Sequence, residues 1–161
     1  SGVNAMLFSD ERLKSDFIAR LRARYRGDMP VPNDSSKSYL RDEALFSYQV
    51  KIIERLADQG PCVLIGRCAD YILQDKAKCL KVFIHADMAF RAKRIVEVYG
   101  EREQSPEQRL RDKDKRRAAY HRFYTNMKWG YAQNYHITLD SGELGIDKCA
   151  DIIADLYKSR A

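Results

Sequence analysis

The sequence has no long hydrophobic run. No apolar stretch approaches the ~18 residues of a membrane-spanning helix, and no signal-peptide pattern precedes the first charged segment. The two absences predict a cytoplasmic protein that does not act at a membrane. Apolar residues make up 45% of the 161 residues and charged residues 32%, which is typical of folded rather than disordered chains. We therefore expect one domain spanning residues 1–161.

Cysteine and histidine are also scarce. The three histidines have no partner at metal-ligand spacing, so we predict no catalytic histidine and no metal held by protein side chains. The four cysteines fit neither a zinc site nor a CxxC pair, which favours reduced thiols. They are Cys62, Cys68, Cys79 and Cys149.

A glycine-rich phosphate loop is missing as well. Nothing in the sequence reads GxxxxGK[ST], and no glycine-rich loop precedes a helix. No residue for binding a nucleotide cofactor through backbone N–H groups can therefore be named.

What the chain does contain is an alternation of helical and strand patterns. Apolar spacing and capping residues predict helices and short buried strands in turn. The predicted helices are 9–27, 40–60, 87–100, 105–129 and 145–159, with a helical or irregular turn at 70–75, and a loop is predicted at 27–39. The predicted strands are 61–66, 79–86 and 135–141.

This order predicts the fold class. Strands separated by helices form a parallel sheet with helices on both faces, which is a three-layer α/β fold. Ligands bind such sheets at the carboxyl ends of the strands. We therefore expect Gly66 and Arg67 to lie at the functional edge, together with Asp87 and Asp140.

Arg67 is the first candidate for ligand binding. A guanidinium presents a planar fork of donors that matches phosphate or carboxylate oxygens. Asp70, three residues on, could orient Arg67 or accept from a base or sugar. The alternative is a structural ion pair between Arg67 and Asp70, and on this stretch alone the two interpretations are about equally supported.

The predicted helix 105–129 carries the second candidate cluster. Between residues 109 and 122 it holds seven cations against two acids, including Lys115 and Arg117, with Asp114 one turn before Arg117. Such a helix could clamp phosphates, as phosphoryl transfer requires. The alternatives are a solvated helix with i,i+4 pairs and, with weaker support, a nucleic-acid-binding helix.

Taken together, these segments resemble the cytidylate kinase-like family of P-loop nucleotide kinases. The resemblance runs from about Leu40 to Lys158 and depends on the order and spacing of four blocks. They are FSYQVKIIERLADQGPCVLIGRCADYIL, KVFIHADMAFRAKRI, DKDKRRAAYHRFYTNMKWG and NYHITLDSGELGID.

The resemblance implies a P-loop kinase-like fold with a mobile helical lid at about residues 103–130. It implies transfer of the γ-phosphoryl group of ATP, with Mg²⁺, to a CMP-like acceptor. Arg67 matches the arginine that holds the acceptor phosphate in this family. Asp70 and Arg94 are further substrate-binding candidates, and Asp114, Lys115 and Arg117 are the catalytic candidates.

Two departures from the family pattern leave an alternative open. Cys68 occupies the position of the family's aspartate, and the expected strand and phosphate loop are not in the sequence given. We expect them to belong to an N-terminal portion that precedes it. The alternative is a non-catalytic nucleotide- or RNA-binding module on a kinase-like scaffold. The partner is expected to be a small nucleotide rather than a nucleic acid, and the sequence does not identify the acceptor base or the oligomeric state.

Overall fold

The computed structural model describes residues 35–76 and 78–160. The chain divides into two compact units, Ser1–Asp42 and Glu43–Ala161. All side chains discussed below belong to the second unit. The predicted helix 9–27 lies outside the described residues.

The described residues form six α-helices, one 3₁₀ turn and two strands. In chain order they are α1 (Ser35–Gln59), α2 (Ala69–Ile72), β1 (Val82–His85), α3 (Met88–Tyr99), α4 (Pro106–Thr125), the 3₁₀ turn Ala132–Asn134, β2 (Ile137–Asp140), α5 (Ser141–Leu144) and α6 (Ile146–Ser159).

The two strands form a parallel pair. Val82 lies opposite Ile137 and His85 opposite Asp140, so both strands end at the same edge, as predicted. The Ser141 hydroxyl donates to the His85 carbonyl at 3.0 Å and ties the two ends together. The chain is therefore a mixed helix and strand protein with a small parallel sheet.

The predicted buried strand 61–66 is wrong for the described structure. Residues 62–65 are extended but belong to no sheet, and Val63 and Ile65 are 83% and 90% exposed. A strand requires a hydrogen-bonded neighbour, and β1 pairs only with β2 within the described residues. An apolar run alone does not supply that neighbour.

The helix boundaries follow capping chemistry. The Asp87 side chain accepts from the Phe90 N–H at the start of α3, and Ser105 accepts from Gln108 at the start of α4, with proline at its first position. Helix α4 ends four residues earlier than predicted because Asn126 adopts a left-handed conformation (φ 57°).

Three other elements differ from prediction. Helix α1 is described from Ser35 onward, so it includes part of the segment predicted to be a loop. The short helix α5 and the 3₁₀ turn were not predicted. Both are single turns, and α5 depends on Asp140, whose carboxylate accepts from the N–H groups of Gly142 and Glu143.

Buried side chains form two small clusters. Ile53, Ala69 and Leu73 join α1 to α2. Ala92, Ile95 and Leu110 join α3 to α4. The second cluster holds together the two helices that carry most of the predicted site.

Trp129 and Gly130 secure the chain after α4. The Trp129 ring meets Phe83 of β1 edge-on, with centroids 5.3 Å apart. Gly130 has a φ of 72°, and a Cβ there would lie 2.9 Å from the Phe83 ring, so only glycine fits. Trp129 is thus a packing anchor, as its position in the sequence predicts. No helix in the described parts of the chain is long and apolar enough to cross a bilayer.

Candidate functional site

Asp114 lies at the centre of a cluster of cations between α3 and α4. Arg91 donates to both of its carboxylate oxygens, at 2.7 and 2.9 Å. Arg117, one turn further along α4, approaches Asp114 Oδ1 at 3.3 Å. The Arg91 and Asp114 side chains are only about one quarter exposed, and two-point contacts of this kind are strong and directional.

A cavity of about 230 Å³ opens beside this ion pair. Four cationic side chains line it, and they face apolar walls from both helices. We call it the cationic cavity; its lining residues are Arg91, Arg94, Lys113 and Arg117 with Ile95, Val98, Tyr99 and Leu110.

The pKa of Lys113 is affected by the other cationic side chains near it. Burial lowers its pKa, and the charges of Arg117 and Arg109 lower it further. Its ammonium group lies 5.2 Å from the centroid of the Tyr99 ring, within reach of a cation–π contact. A cluster with one carboxylate among four cations is short of negative charge, and an anionic ligand would relieve the repulsion.

Arg67 lies in a turn of unusual conformation just before α2. Gly66, Arg67 and Cys68 have φ angles of 69°, 55° and 58°, all in the left-handed region. For each of the two non-glycine residues this costs roughly 1–2 kcal/mol. We call Gly66–Cys68 the Arg67 turn. Strain of this kind persists only where the surroundings enforce it, and it is frequent at binding sites.

The Arg67 turn packs against the C-terminal half of α4. The Arg67 guanidinium lies 6.0 Å from the centroid of the Tyr120 ring. The Tyr120 hydroxyl donates to Gln49 at 3.0 Å, and burial raises its pKa to about 12. Tyr120 follows Arg117 of the cationic cavity by three residues, which is about 4.5 Å along the axis of α4.

The Asp70 carboxylate meets His121. The Asp70 Oδ2 to His121 Nε2 distance is 2.9 Å, and the His121 side chain is 5% exposed. This hydrogen bond is the main cause that raises the pKa of His121 above its ordinary value, and burial opposes it. Sequence reasoning missed His121 because its partner is 51 residues away.

The structure thus divides the predicted site residues into two groups on one helix. Asp114, Arg117 and Arg94 meet at the cationic cavity. Arg67 and Asp70 meet α4 one turn later. Lys115 is exposed and is not among the lining residues; the lysine at the cavity is Lys113. Arg91 was not among the predicted site residues, and its i,i+3 relation to Arg94 was the available signal.

The described side chains offer no metal centre. No group of three or more His, Cys, Asp or Glu residues among them could hold a metal ion.

The chain matches the cytidylate kinase-like family over residues 3–143. It belongs to that family. No protein of curated function matches it. The chain is similar to the crystal structure of an uncharacterized protein from Eubacterium ventriosum ATCC 27560, with 25% identity, a TM-score of 0.69, and coverage of 89% of this chain and 90% of the other.

Membership of this family indicates a kinase-like function with a small nucleotide as substrate and general use of a nucleotide and a metal. The family-level assignment agrees with the resemblance drawn from the sequence.

Proposed function

We propose that the protein transfers the γ-phosphoryl group of ATP to a CMP-like nucleoside monophosphate and has the P-loop kinase fold with a helical lid at about residues 103–130. The observation that carries the proposal is the cationic cavity, which is lined by four cationic side chains, two of which, Arg91 and Arg117, pair with Asp114. Family membership supports the reaction class.

In the proposed reaction the acceptor supplies the nucleophile. A phosphate oxygen of the monophosphate attacks the γ-phosphorus of ATP, a new P–O bond forms, and the bond to the β-phosphate oxygen breaks to release ADP. Such a reaction needs positioning and positive charge rather than a covalent protein intermediate. ATP supplies the phosphoryl group; the magnesium ion expected with it would be held by phosphates and by residues outside those described.

The residues of this chain have separate roles in the proposal. Arg67 binds the acceptor phosphate through its planar fork of donors. Arg117, with Arg94 and Lys113, neutralises charge on the transferred group, and Lys115 reaches it only after a movement of the lid. Asp114 orients Arg91 and Arg117 through the contacts of 2.7–3.3 Å described above.

Arg67→Ala tests the acceptor role. In the full-length protein the KM for CMP should rise by an amount equivalent to about 2–5 kcal/mol, because a charged contact to phosphate is removed. Initial rates with ATP, Mg²⁺ and a panel of monophosphates measure it. Lys76→Ala, which removes an exposed ion pair with Asp58, is the matched control. An unchanged KM for CMP in Arg67→Ala would remove the acceptor site from the proposal.

Arg117→Ala tests the transition-state role. We expect kcat to fall by about 10- to 100-fold while the KM for CMP changes by less than about threefold, since the contact strengthens as charge develops. Lys93→Ala is the control: Lys93 is a highly exposed cation on α3 that does not line the cavity. A loss confined to KM, or equal losses in both variants, would contradict the assignment. If the full-length wild-type protein turns over none of the monophosphates, that result favours the binding-module alternative.

A further inference from the structure

The hydrogen bond between Asp70 and His121 links two segments of the chain that are far apart in sequence. It joins Asp70, two residues after the Arg67 turn, to the helix α4, which helps to line the cationic cavity. The proposed roles of Arg67 and Arg117 do not use it. Both side chains are largely buried, with 19% and 5% exposure, so neither serves simply as a surface charge.

The Arg67 turn needs an external constraint. Three consecutive left-handed residues are unfavourable for any sequence with side chains at two of them. Inside the turn, the Ala69 N–H donates to the Gly66 carbonyl at 3.0 Å, and Cys68 is 3% exposed. The Asp70–His121 hydrogen bond fixes the chain two residues after this turn to α4.

His121 is itself held rigidly. Its Nδ1 lies 3.2 Å from the Thr125 hydroxyl oxygen and 3.4 Å from the Met127 carbonyl. The Thr125 hydroxyl donates its proton to the His121 carbonyl at 2.7 Å and accepts from the Met127 N–H. Nδ1 therefore faces two acceptors while Nε2 faces a carboxylate, a setting that favours the doubly protonated ring.

We propose that His121 is a positioning residue for acceptor binding: through Asp70 it holds the Arg67 turn against α4 with the guanidinium over the Tyr120 ring. The inference rests on the proposed function, in which Arg67 binds the acceptor phosphate. His121 contacts no reacting atom. It acts by keeping Arg67 in the binding conformation, so its loss affects acceptor affinity before it affects turnover.

The pair also makes acceptor binding dependent on pH. Among the described residues, the other charged or titratable groups around it include Arg67, Cys68, Cys79, Tyr120 and Tyr135. Guanidinium groups do not titrate in this range. Burial raises the pKa of Cys68 to about 12 and that of Tyr120 to about 12, and it also raises the pKa of Cys79 and the pKa of Tyr135. His121 is thus the group of this cluster that changes charge near neutral pH.

Binding of CMP to the full-length protein, measured by calorimetry between pH 6 and pH 9, tests the inference with four variants. His121→Ala should weaken CMP binding about tenfold at pH 6.5. His121→Gln keeps a donor toward Asp70 and should bind CMP within about threefold of wild type. Wild-type affinity should fall as the pH rises through the raised pKa of His121, and this dependence should be absent in His121→Gln.

The decisive comparison is a double-mutant cycle. If His121 acts through Arg67, the Arg67→Ala/His121→Ala double variant should bind CMP no more weakly than Arg67→Ala alone. Additive losses would overturn the inference. Normal CMP affinity in His121→Ala together with weakened affinity in Arg67→Ala would also overturn it while leaving the proposed function in place. Normal affinity in Arg67→Ala would instead refute the acceptor site itself.

A spectroscopic measurement covers the case in which His121→Ala does not fold. The imidazole resonances of the three histidines can be titrated by NMR in wild type and in Asp70→Asn. His121 should titrate above an ordinary histidine, and Asp70→Asn should lower its pKa, whereas the pKa of His136, lowered by burial and by Arg160, should stay unchanged. An equal His121 pKa in both proteins would show that the pair does not form and would overturn the inference.

Discussion

Individual side chains in the Arg67 turn differ sharply in their chemistry from neighbours only a few residues away. Cys62 is exposed, whereas Cys68 is buried, with a pKa raised to about 12 by burial and by the nearby Asp70 charge. At pH 8 the Cys68 thiolate fraction is therefore about 10⁻⁴, and the thiolate is the reactive form. The turn thus contains an inert thiol where the family has an aspartate.

Alkylation tests this difference directly. Under native conditions at pH 8, iodoacetamide should modify Cys62 well before Cys68 or the buried Cys149, because those two are protected by burial. Peptide mass spectrometry after timed quenching gives the order of labelling. In denaturant all three should react at similar rates. Native labelling of Cys68 as fast as Cys62 would mean that the turn is open in solution.

The sequence could identify Arg67 and Asp70 as candidates but not their partners. Local spacing favoured an Arg67–Asp70 pair, because residues three apart are the contacts that a sequence makes visible. The contact of Asp70 with His121 spans 51 residues and depends on how α4 packs on the turn. The only local signal for His121 was Thr125 four residues later, which is too common a spacing to predict a buried hydrogen bond.

The helices α3 and α4 show what secondary-structure patterns can and cannot predict. Their starts follow from Asp87, Ser105 and Pro106, which are local signals. Their packing, through Leu110 against Ala92 and Ile95 and through the Arg91–Asp114 ion pair, is a tertiary property. The cavity exists because these two helices meet, so its lining residues could be predicted only in part.

Leu110→Ala tests that packing. Leu110 is 6% exposed, and truncating a buried leucine costs about 2–5 kcal/mol. Denaturant unfolding monitored by circular dichroism should give a loss in this range. Leu144→Ala on α5, where the leucine is 43% exposed, should cost less than about 1 kcal/mol. Equal losses in the two variants would contradict the assignment of Leu110 to the α3–α4 core.

The segment 62–65 is the element whose prediction was wrong for a reason of topology. Its apolar pattern is that of a buried strand, but Val63 and Ile65 are almost fully exposed. Strand formation depends on a neighbour far away in sequence, so a pattern reports the tendency of a segment and not the presence of its partner. The parallel pairing of β1 with β2, which the alternation of elements predicted, is present.

Four of the protein's 29 lysine and arginine side chains line one cavity of about 230 Å³. A cavity of this size suits phosphate groups of a small ligand, whereas a nucleic-acid surface would distribute its cations along an extended face. The distribution favours the nucleotide kinase proposal over the RNA-binding alternative.

The pH dependence of the protein's thermal stability tests whether Asp70 and His121 form a charged pair in the folded state. Because the folded-state pKa of His121 is raised above its ordinary value, the charged pair stabilises the folded protein fully below the unfolded pKa of about 6.5. That stabilisation disappears as the pH rises through the folded-state pKa. The contribution of His121 to the thermal midpoint of wild type should therefore decrease between about pH 6.5 and the folded-state pKa of His121. Above that pKa the contribution of His121 should no longer change with pH. His121→Gln, which does not titrate, should lack that decrease, and subtracting its curve from that of wild type isolates the contribution of His121 from all other titrating groups. Parallel curves for the two proteins would mean that His121 carries the same charge in the folded and unfolded states, which is incompatible with a buried ion pair to Asp70.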